Sequence, residues 1–334
     1  MTAKKTTFAT RCLVIGVRGA LASLALVSTG ARAADDKVLD LRIPENTVEA
    51  GAGYVSDDSA KFGEYNGLNR KGGYGILDFD VRGGGYGTDD PTRWRITGTN
   101  LGLDTRNVQG EYGRQGSFRV YGEYDELVRN RSDTYMTPYT QVGGSTFLLP
   151  GNWIVPRVPQ VSSSAGNFRG LDPVAGTANS LVNGVSTPPT AAQLAAVNRA
   201  IATDIPQFYE KDISTERKRS DAGFLYNITP RWDVRASFSH EDKSGAKLMN
   251  FLSLASGTSA VTLPDPIDQT HDQYNASLNY SGEKGFFQAG YYGSIFKNNI
   301  NSVTWQNPFD PAKSSTFGSA PDNQFHQLLM TGGY

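Results

Sequence analysis

Three histidines, one cysteine and two short acidic runs are the residues of this chain best suited to redox or metal chemistry. His240, His271 and His326 could each bind haem or a metal ion through an imidazole nitrogen. None belongs to a CxxCH, and none has a second ligand at helical spacing, so they read as ordinary surface or lumen histidines. The carboxylates of "SDDS" (56–59) and "DPIDQTHD" (265–272) are of the type that holds calcium. The EF-hand spacing is absent, and they read as solvated loop residues. "GGGYG" (83–87) offers a glycine-rich loop, but no helix follows to align amides on a phosphate, which leaves a flexible turn. No Ser/His/Asp set or carboxylate pair stands out. No catalytic, cofactor-binding or metal-binding residue is assigned, and the chain is read as not an enzyme.

The single cysteine, Cys12, lies in a targeting segment. Lys4, Lys5 and Arg11 form a basic start, "GALASLALVSTG" is a short apolar middle, and "ARA" (31–33) supplies the small residues of a cleavage site. Arg18 interrupts the apolar run, which argues against a membrane anchor. Residues 1–33 are therefore expected to be an export signal cut before Ala34. The mature chain then has no thiol, no disulfide and no place for covalent haem.

From residue 34 to 334 no apolar run is long enough for a membrane helix. Only 38% of residues are hydrophobic, yet 11% are aromatic, so a large packed core is doubtful while disorder is excluded. With 32 basic against 33 acidic residues, the chain lacks the basic surplus of a nucleic-acid partner.

An alternating pattern positions what remains. In "NVQGEYGRQGSFRVYGEYD" (107–125), Val108, Gly110, Tyr112, Phe118, Val120, Gly122 and Tyr124 oppose Gln109, Glu111, Arg119, Tyr121, Glu123 and Asp125. "GILDFDVR" (75–82), "RWRITGTN" (93–100), "WDVRASFSHEDK" (232–243) and "QYNASLNY" (273–280) alternate in the same way. Successive strand side chains point to opposite faces, so each segment has an apolar and a polar side. About ten strands are expected, near 47–56, 73–82, 93–101, 106–112, 118–126, 213–227, 232–243, 270–280, 286–297 and 324–334.

A soluble sandwich would alternate too. The connections separate the two readings. Every second one is brief: 83–91, "GRQGS" (113–117), "ITPR" (228–231) and "SGEKG" (281–285). The intervening ones are mostly long: 57–72, 127–212, 244–269 and 298–323, with a short one near 102–105. Outer-membrane barrels sort their loops like this, with short periplasmic turns and long external loops. The expected fold is thus all-β, a transmembrane antiparallel β-barrel spanning 34–334. Its long insertion at about 127–212 carries a short helix, opened by Pro189, with Leu194, Val197 and Ile201 on one apolar face. Trp94, Phe118, Tyr124, Trp232, Phe238, Tyr274 and Leu278 are expected to face lipid. Arg95, Arg119, Asp233, Arg235 and Glu241 are expected to face the lumen or its mouth, because a cation at mid-membrane costs about 2–4 kcal/mol.

Ordered blocks add a family resemblance: "VEAGAGYVSDDSAKFGEYNGL" (48–68), "GTNLGLDTRNVQGEYGRQGSFRVYGEYDEL" (98–127), "LPGNW" (149–153), "ISTERKR" (213–219) and "LPDPIDQTHDQYNASLNYSGEKGFFQAGYYGSIFKNN" (263–299). The chain resembles the MtrB/PioB family of decahaem-associated outer-membrane proteins through most of its expected mature length. The resemblance implies a barrel that sheathes a periplasmic multihaem c-type cytochrome across the outer membrane, for extracellular electron transfer. Some members also bind an outer-surface cytochrome. Any haem would belong to the partner, and this chain would carry no cofactor. Two departures stand out. The CxxC pair that some members have before the first strand is missing from "DLRIPENTVEAG" (40–51), and members are much longer. The chain is accordingly expected to be the N-terminal part of a larger barrel, although Tyr334 would also suit the terminal aromatic of a complete ten-stranded one. A general porin for small solutes, contacting only outer-membrane lipid, is the competing function.

Overall fold

A computed structural model describes residues 45–155, 180–182, 185–187, 191–253, 259–308 and 310–334. The expected export signal and Pro189 lie outside the described residues. The strands are β1 (Thr47–Val55), β2 (Gly72–Gly84), β3 (Thr92–Leu101), β4 (Arg106–Arg114), β5 (Phe118–Thr137), β6 (Thr146–Phe147), β7 (Ser180–Val182), β8 (Val185–Thr187), β9 (Tyr209–Thr229), β10 (Trp232–Ser253), β11 (Ser259–Ser281), β12 (Phe286–Asn298), β13 (Ser302–Asn307), β14 (Asp310–Gly318) and β15 (Asn323–Gly333). One helix, α1 (Ala191–Asp204), precedes β9.

Ten strands form one antiparallel sheet in the order β1-β2-β3-β4-β5-β9-β10-β11-β12-β15. Each neighbour in that row is the next long strand along the chain, the plain up-and-down path of a barrel wall. Among the described residues β1 pairs only with β2, and β15 only with β12. The turns at one end are 85–91, 115–117, 230–231 and 282–285. The turn 115–117 closes by a bond from the Ser117 amide to the Arg114 carbonyl, 2.9 Å, with Gly116 at φ +79°. A left-handed residue in a three-residue hairpin loop favours glycine, which explains the second glycine of "GRQGS".

The other end departs from the sequence expectation. β5, β9, β10 and β11 run for 20, 21, 22 and 23 residues, about twice what a bilayer crossing needs. The expected loop 244–269 is therefore mostly strand, with β10 and β11 paired from Trp232–Tyr280 to Ser253–Ser259. "DPIDQTHD" (265–272) lies inside β11 and not in a loop. Likewise the expected insertion 127–212 shrinks to 138–208, because β5 and β9 stay paired out to Thr137–Tyr209. Apolar residues of the β10 extension fall on both parities, Leu248 and Leu252 on one and Met249 and Phe251 on the other, which hid it from a search for alternation.

β10 leaves β9 at Gly245, the last residue of their pairing, which has φ +111°. A Cβ there would stand 2.2 Å from the Ser214 carbonyl oxygen. Beyond it the β10–β11 ribbon carries a packed cap. Tyr139, Phe147, Leu149, Phe251, Leu263, Val303 and Trp305 form its core. β6 pairs in parallel with β13, which pairs with β14, so the two longest external connections are tied together. The helix packs locally: Val197 and Ala200 are buried, and the buried Asp204 accepts from the Ile154 amide at 3.1 Å. Of the expected apolar stripe, Val197 alone is fully buried, while Leu194 and Ile201 are half-buried.

Candidate functional site: the two faces of the wall

Register carries one apolar face across all ten strands. One row runs Trp94–Tyr112–Val120–Phe224–Ala236–Ala276–Tyr291–Leu328, and the next runs Phe118–Tyr226–Val234–Leu278–Ala289–Met330. Phe238 and Tyr274 are direct partners on the same face, their rings 5.0 Å apart. All seven residues expected to face lipid fall on this side. Rings gather near the short turns, with Trp232 and Tyr280 at 4.8 Å and Tyr112 and Phe118 at 5.7 Å.

At the opposite limit the same parity turns charged. Arg106 meets Glu126 at 2.7 Å, Lys218 meets Glu216 at 3.0 Å, and the Tyr124 hydroxyl donates to Glu126 at 3.1 Å. Between the ring row and this charge row lie about eight residues of strand, close to the ~25 Å apolar band of an outer-membrane barrel.

The other parity is a lattice of ion pairs. Asp80 receives Arg95 through two nitrogens, at 2.9 and 2.8 Å, and also contacts Arg82. Glu111 pairs with Arg119 at 2.7 Å, Asp125 with Arg217 at 2.6 Å, Asp221 with Arg219 at 2.9 Å and Asp233 with Arg235 at 2.8 Å. Glu241 lies opposite Arg219 across the β9–β10 pair. The five residues expected to face the lumen all belong to this side. Toward the turns, Arg93 sits over the Tyr86 ring at 4.4 Å. A recess of about 490 Å³ opens on this face between Arg119, Arg235, Asn275 and Gln327.

The histidines do not converge. His240 is on the apolar parity, near the charge row, with Nδ1 2.6 Å from Asp272. His271 is on the polar parity, 2.8 Å from the Ser294 hydroxyl, and His326 meets Tyr291 at 2.9 Å on the apolar side. Among the described residues no group of three or more His, Cys, Asp or Glu side chains is placed to hold a metal ion. "GGGYG" ends β2 at Gly84 and opens the turn to β3, with no helix after it. Asp58 of "SDDS" accepts from the Lys71 amide at 2.6 Å and lies 3.6 Å from Arg70. Asp265 pairs with Lys247 at 3.3 Å, and the Asp268 carboxylate accepts from Asn299 at 3.0 Å. Alternation pointed to the wall faces but not to the cap core, whose members come from four separate segments.

Burial decides the class. Among the described residues every fully buried hydrophobic one, from Ala60 and Leu103 to Trp305, lies beyond the apolar band on the long-loop side. Inside the band the apolar rows stay open, with Tyr112 48% and Phe238 38% exposed. A sandwich buries one face of each sheet against the other. This wall has one apolar face that none of the described residues covers, so lipid covers it. The fold and site define an outer-membrane β-barrel.

Comparison with known proteins agrees. Residues 54–334 match the family described as "Putative outer membrane beta-barrel porin, MtrB/PioB", and the chain belongs to that family. It is 27% identical over 295 residues to "Outer membrane protein MtrB" of Shewanella baltica (strain OS185), covering 86% of this chain. The chain spans 35% of the length of that relative. Among solved structures, "Copper transporter OprC" matches over 87% of this chain and 38% of its own, at 7% identity and a TM-score of 0.28, too loose a likeness to bear on function.

Proposed function

We propose that this wall is part of an outer-membrane sheath that holds a periplasmic multihaem c-type cytochrome across the membrane, for extracellular electron transfer. The observation that carries the reading is a polar inner face whose charges are already matched in place. Ion pairs preset in the wall let a hydrophilic protein replace lumen water without stranding charges. Cys12 is the only cysteine, and the three histidines stand apart, His240 and His326 on the apolar face and His271 on the polar one, so haem would be the partner's. An outer-surface cytochrome is a second partner, which the long β10–β11 ribbon and its cap are placed to meet.

The whole barrel in this reading is wider than ten strands. Diameter grows with strand number, and an unpaired edge cannot remain in hydrocarbon. β1 and β15 each present such an edge.

A porin for small solutes is the second reading, favoured by the family's own description and by the open recess on the polar face. The full-length protein, purified gently from its native membrane, should carry haem absorbance in the same particle. Proteoliposomes containing that particle should reduce an enclosed dye from outside. A haem-free barrel that conducts ions would replace the sheath with the porin.

A further inference from the structure

The polar face is not uniform around the wall. From β2 to β10 it carries acids and bases among its polar residues. Across β11, β12 and β15 it holds no Asp, Glu, Lys or Arg between Gln269 and Asn279, Gln288 and Phe296, or Phe325 and Thr331. Amides and hydroxyls replace the charges over three consecutive strands. The side-chain amides of Asn275, Gln288 and Gln327 make no hydrogen bond with any described residue, and all three line the recess of about 490 Å³.

We infer that this uncharged lane is the docking face for the protein inside the barrel, which meets it through an uncharged surface rich in peptide groups. The inference rests on the sheath reading and specifies where the contact lies. A carboxamide both donates and accepts, as a peptide group does, so each free amide can pair with occupant backbone of either polarity. The ion-paired half has its partners already and gains little from further contact. The lane has unfilled hydrogen-bonding capacity, and a dry contact that left it unfilled would be costly. A charged occupant surface would lose its water there and find no counter-charge. Phe325 and Leu329, 52% and 49% exposed on the same parity, add apolar area beside the amides.

The test uses the full-length protein in its native membrane, with a photo-crosslinking residue at Asn275, Gln288 or Gln327, or instead at Glu111 or Glu123 in the charged half. Particles are purified, their haem is measured, and they are irradiated; the adduct is identified by haem stain. The lane positions should give several-fold more adduct with a haem-bearing polypeptide than the charged-half positions. Separately, Asn275→Asp and Gln288→Glu together should lower haem recovered per barrel about tenfold, a loss of about 1.4 kcal/mol of binding. Thr97→Ala, a neutral control on β3 in the charged half, should leave it unchanged. If haem co-purifies but adducts are equal or favour the charged half, the lane assignment is overturned and the sheath stands. If no haem co-purifies with the unmodified protein, both fall.

Discussion

The membrane wall and the external cap share the β10–β11 ribbon, yet they are stabilised in opposite ways. In the wall, Phe238 and Tyr274 face outward and are held by the register of the sheet and by lipid. In the cap, Phe251 on the same strand packs against Trp305 at 4.8 Å, and Trp305 is only 2% exposed. Thirteen positions along one strand separate a side chain that must meet hydrocarbon from one that must avoid water. The wall resists polar residues on its outer face, whereas the cap resists loss of volume. Each region should therefore fail under the change that the other tolerates.

The largest effect is expected at the cap core. Trp305→Ala should cost the cap about 3–5 kcal/mol, because it empties the site on which β6, β13 and β10 converge. Protease nicking of the 138–208 and 299–322 connections should accelerate while the wall stays assembled in the membrane. Loss of the assembled barrel would break the distinction between the regions. Next comes Ala236→Arg, in the middle of the apolar band, at about 2–4 kcal/mol. Urea unfolding of the full-length barrel in bilayers measures it. An Arg placed at Ser237, one residue along on the lattice side, should cost far less. Equal costs at 236 and 237 would mean that the two faces are not lipid and lumen.

The same contrast explains what could be read from sequence. The band was legible because lipid on one side and water on the other impose strict alternation, as in Trp232, Val234, Ala236 and Phe238. The strand extensions were not, since the cap covers one parity of the β10–β11 ribbon, with Met249, Phe251, Val261 and Leu263, while apolar Leu248 and Leu252 occupy the other. Pro264 and Pro266 sit inside β11 beside the carboxylates of "DPIDQTHD". They lie two apart, so both missing donors point to the same edge of β11. β12 pairs with β11 only from Gln269 onward, so no strand asks a donor of that edge, and both prolines are buried there. The cap core was invisible because Tyr139, Phe147, Phe251 and Trp305 come from segments far apart along the chain. The candidate site was half legible: the lumen residues followed from parity, but their pairing and the uncharged lane needed the register.

Smaller effects refine the boundary between the regions. Gly245→Ala should cost about 1–3 kcal/mol, because φ +111° and the Ser214 carbonyl leave no room for a Cβ. The cost should appear as faster hydrogen exchange in the β10–β11 ribbon beyond residue 245, with amides of the band unchanged. Asp80→Asn, in the lattice, should change folding stability by no more than about 1 kcal/mol, since ion pairs that water still reaches are worth little. A larger loss would show that the lattice is drier than its exposure indicates.

The smallest effect is a pH response confined to the external side. The 56–71 connection is fastened to the β5 extension through Glu64, whose carboxylate meets Lys61 at 2.5 Å and Arg129 at 3.1 Å. Its backbone carbonyl accepts from the Asn130 amide at 2.9 Å, and the Asn130 side chain donates to the Gly63 carbonyl at the same distance. The hydrogen bond from Lys61, then that from Arg129, hold the Glu64 carboxyl below the usual carboxylate range. Folding lowers this pKa, so the contribution is fully present above the unfolded value of about 4.3 and is lost as pH falls through the lower folded value. Between pH 7 and 5 the exchange rate of the Asn130 amide, corrected for intrinsic chemistry, should stay constant; below pH 4 its protection should fall. Glu64→Gln should remove the pH step while leaving some protection, because the two bonds to main-chain carbonyls remain. A step of the same size in the band amides would mean that acid loosens the whole wall rather than this one connection.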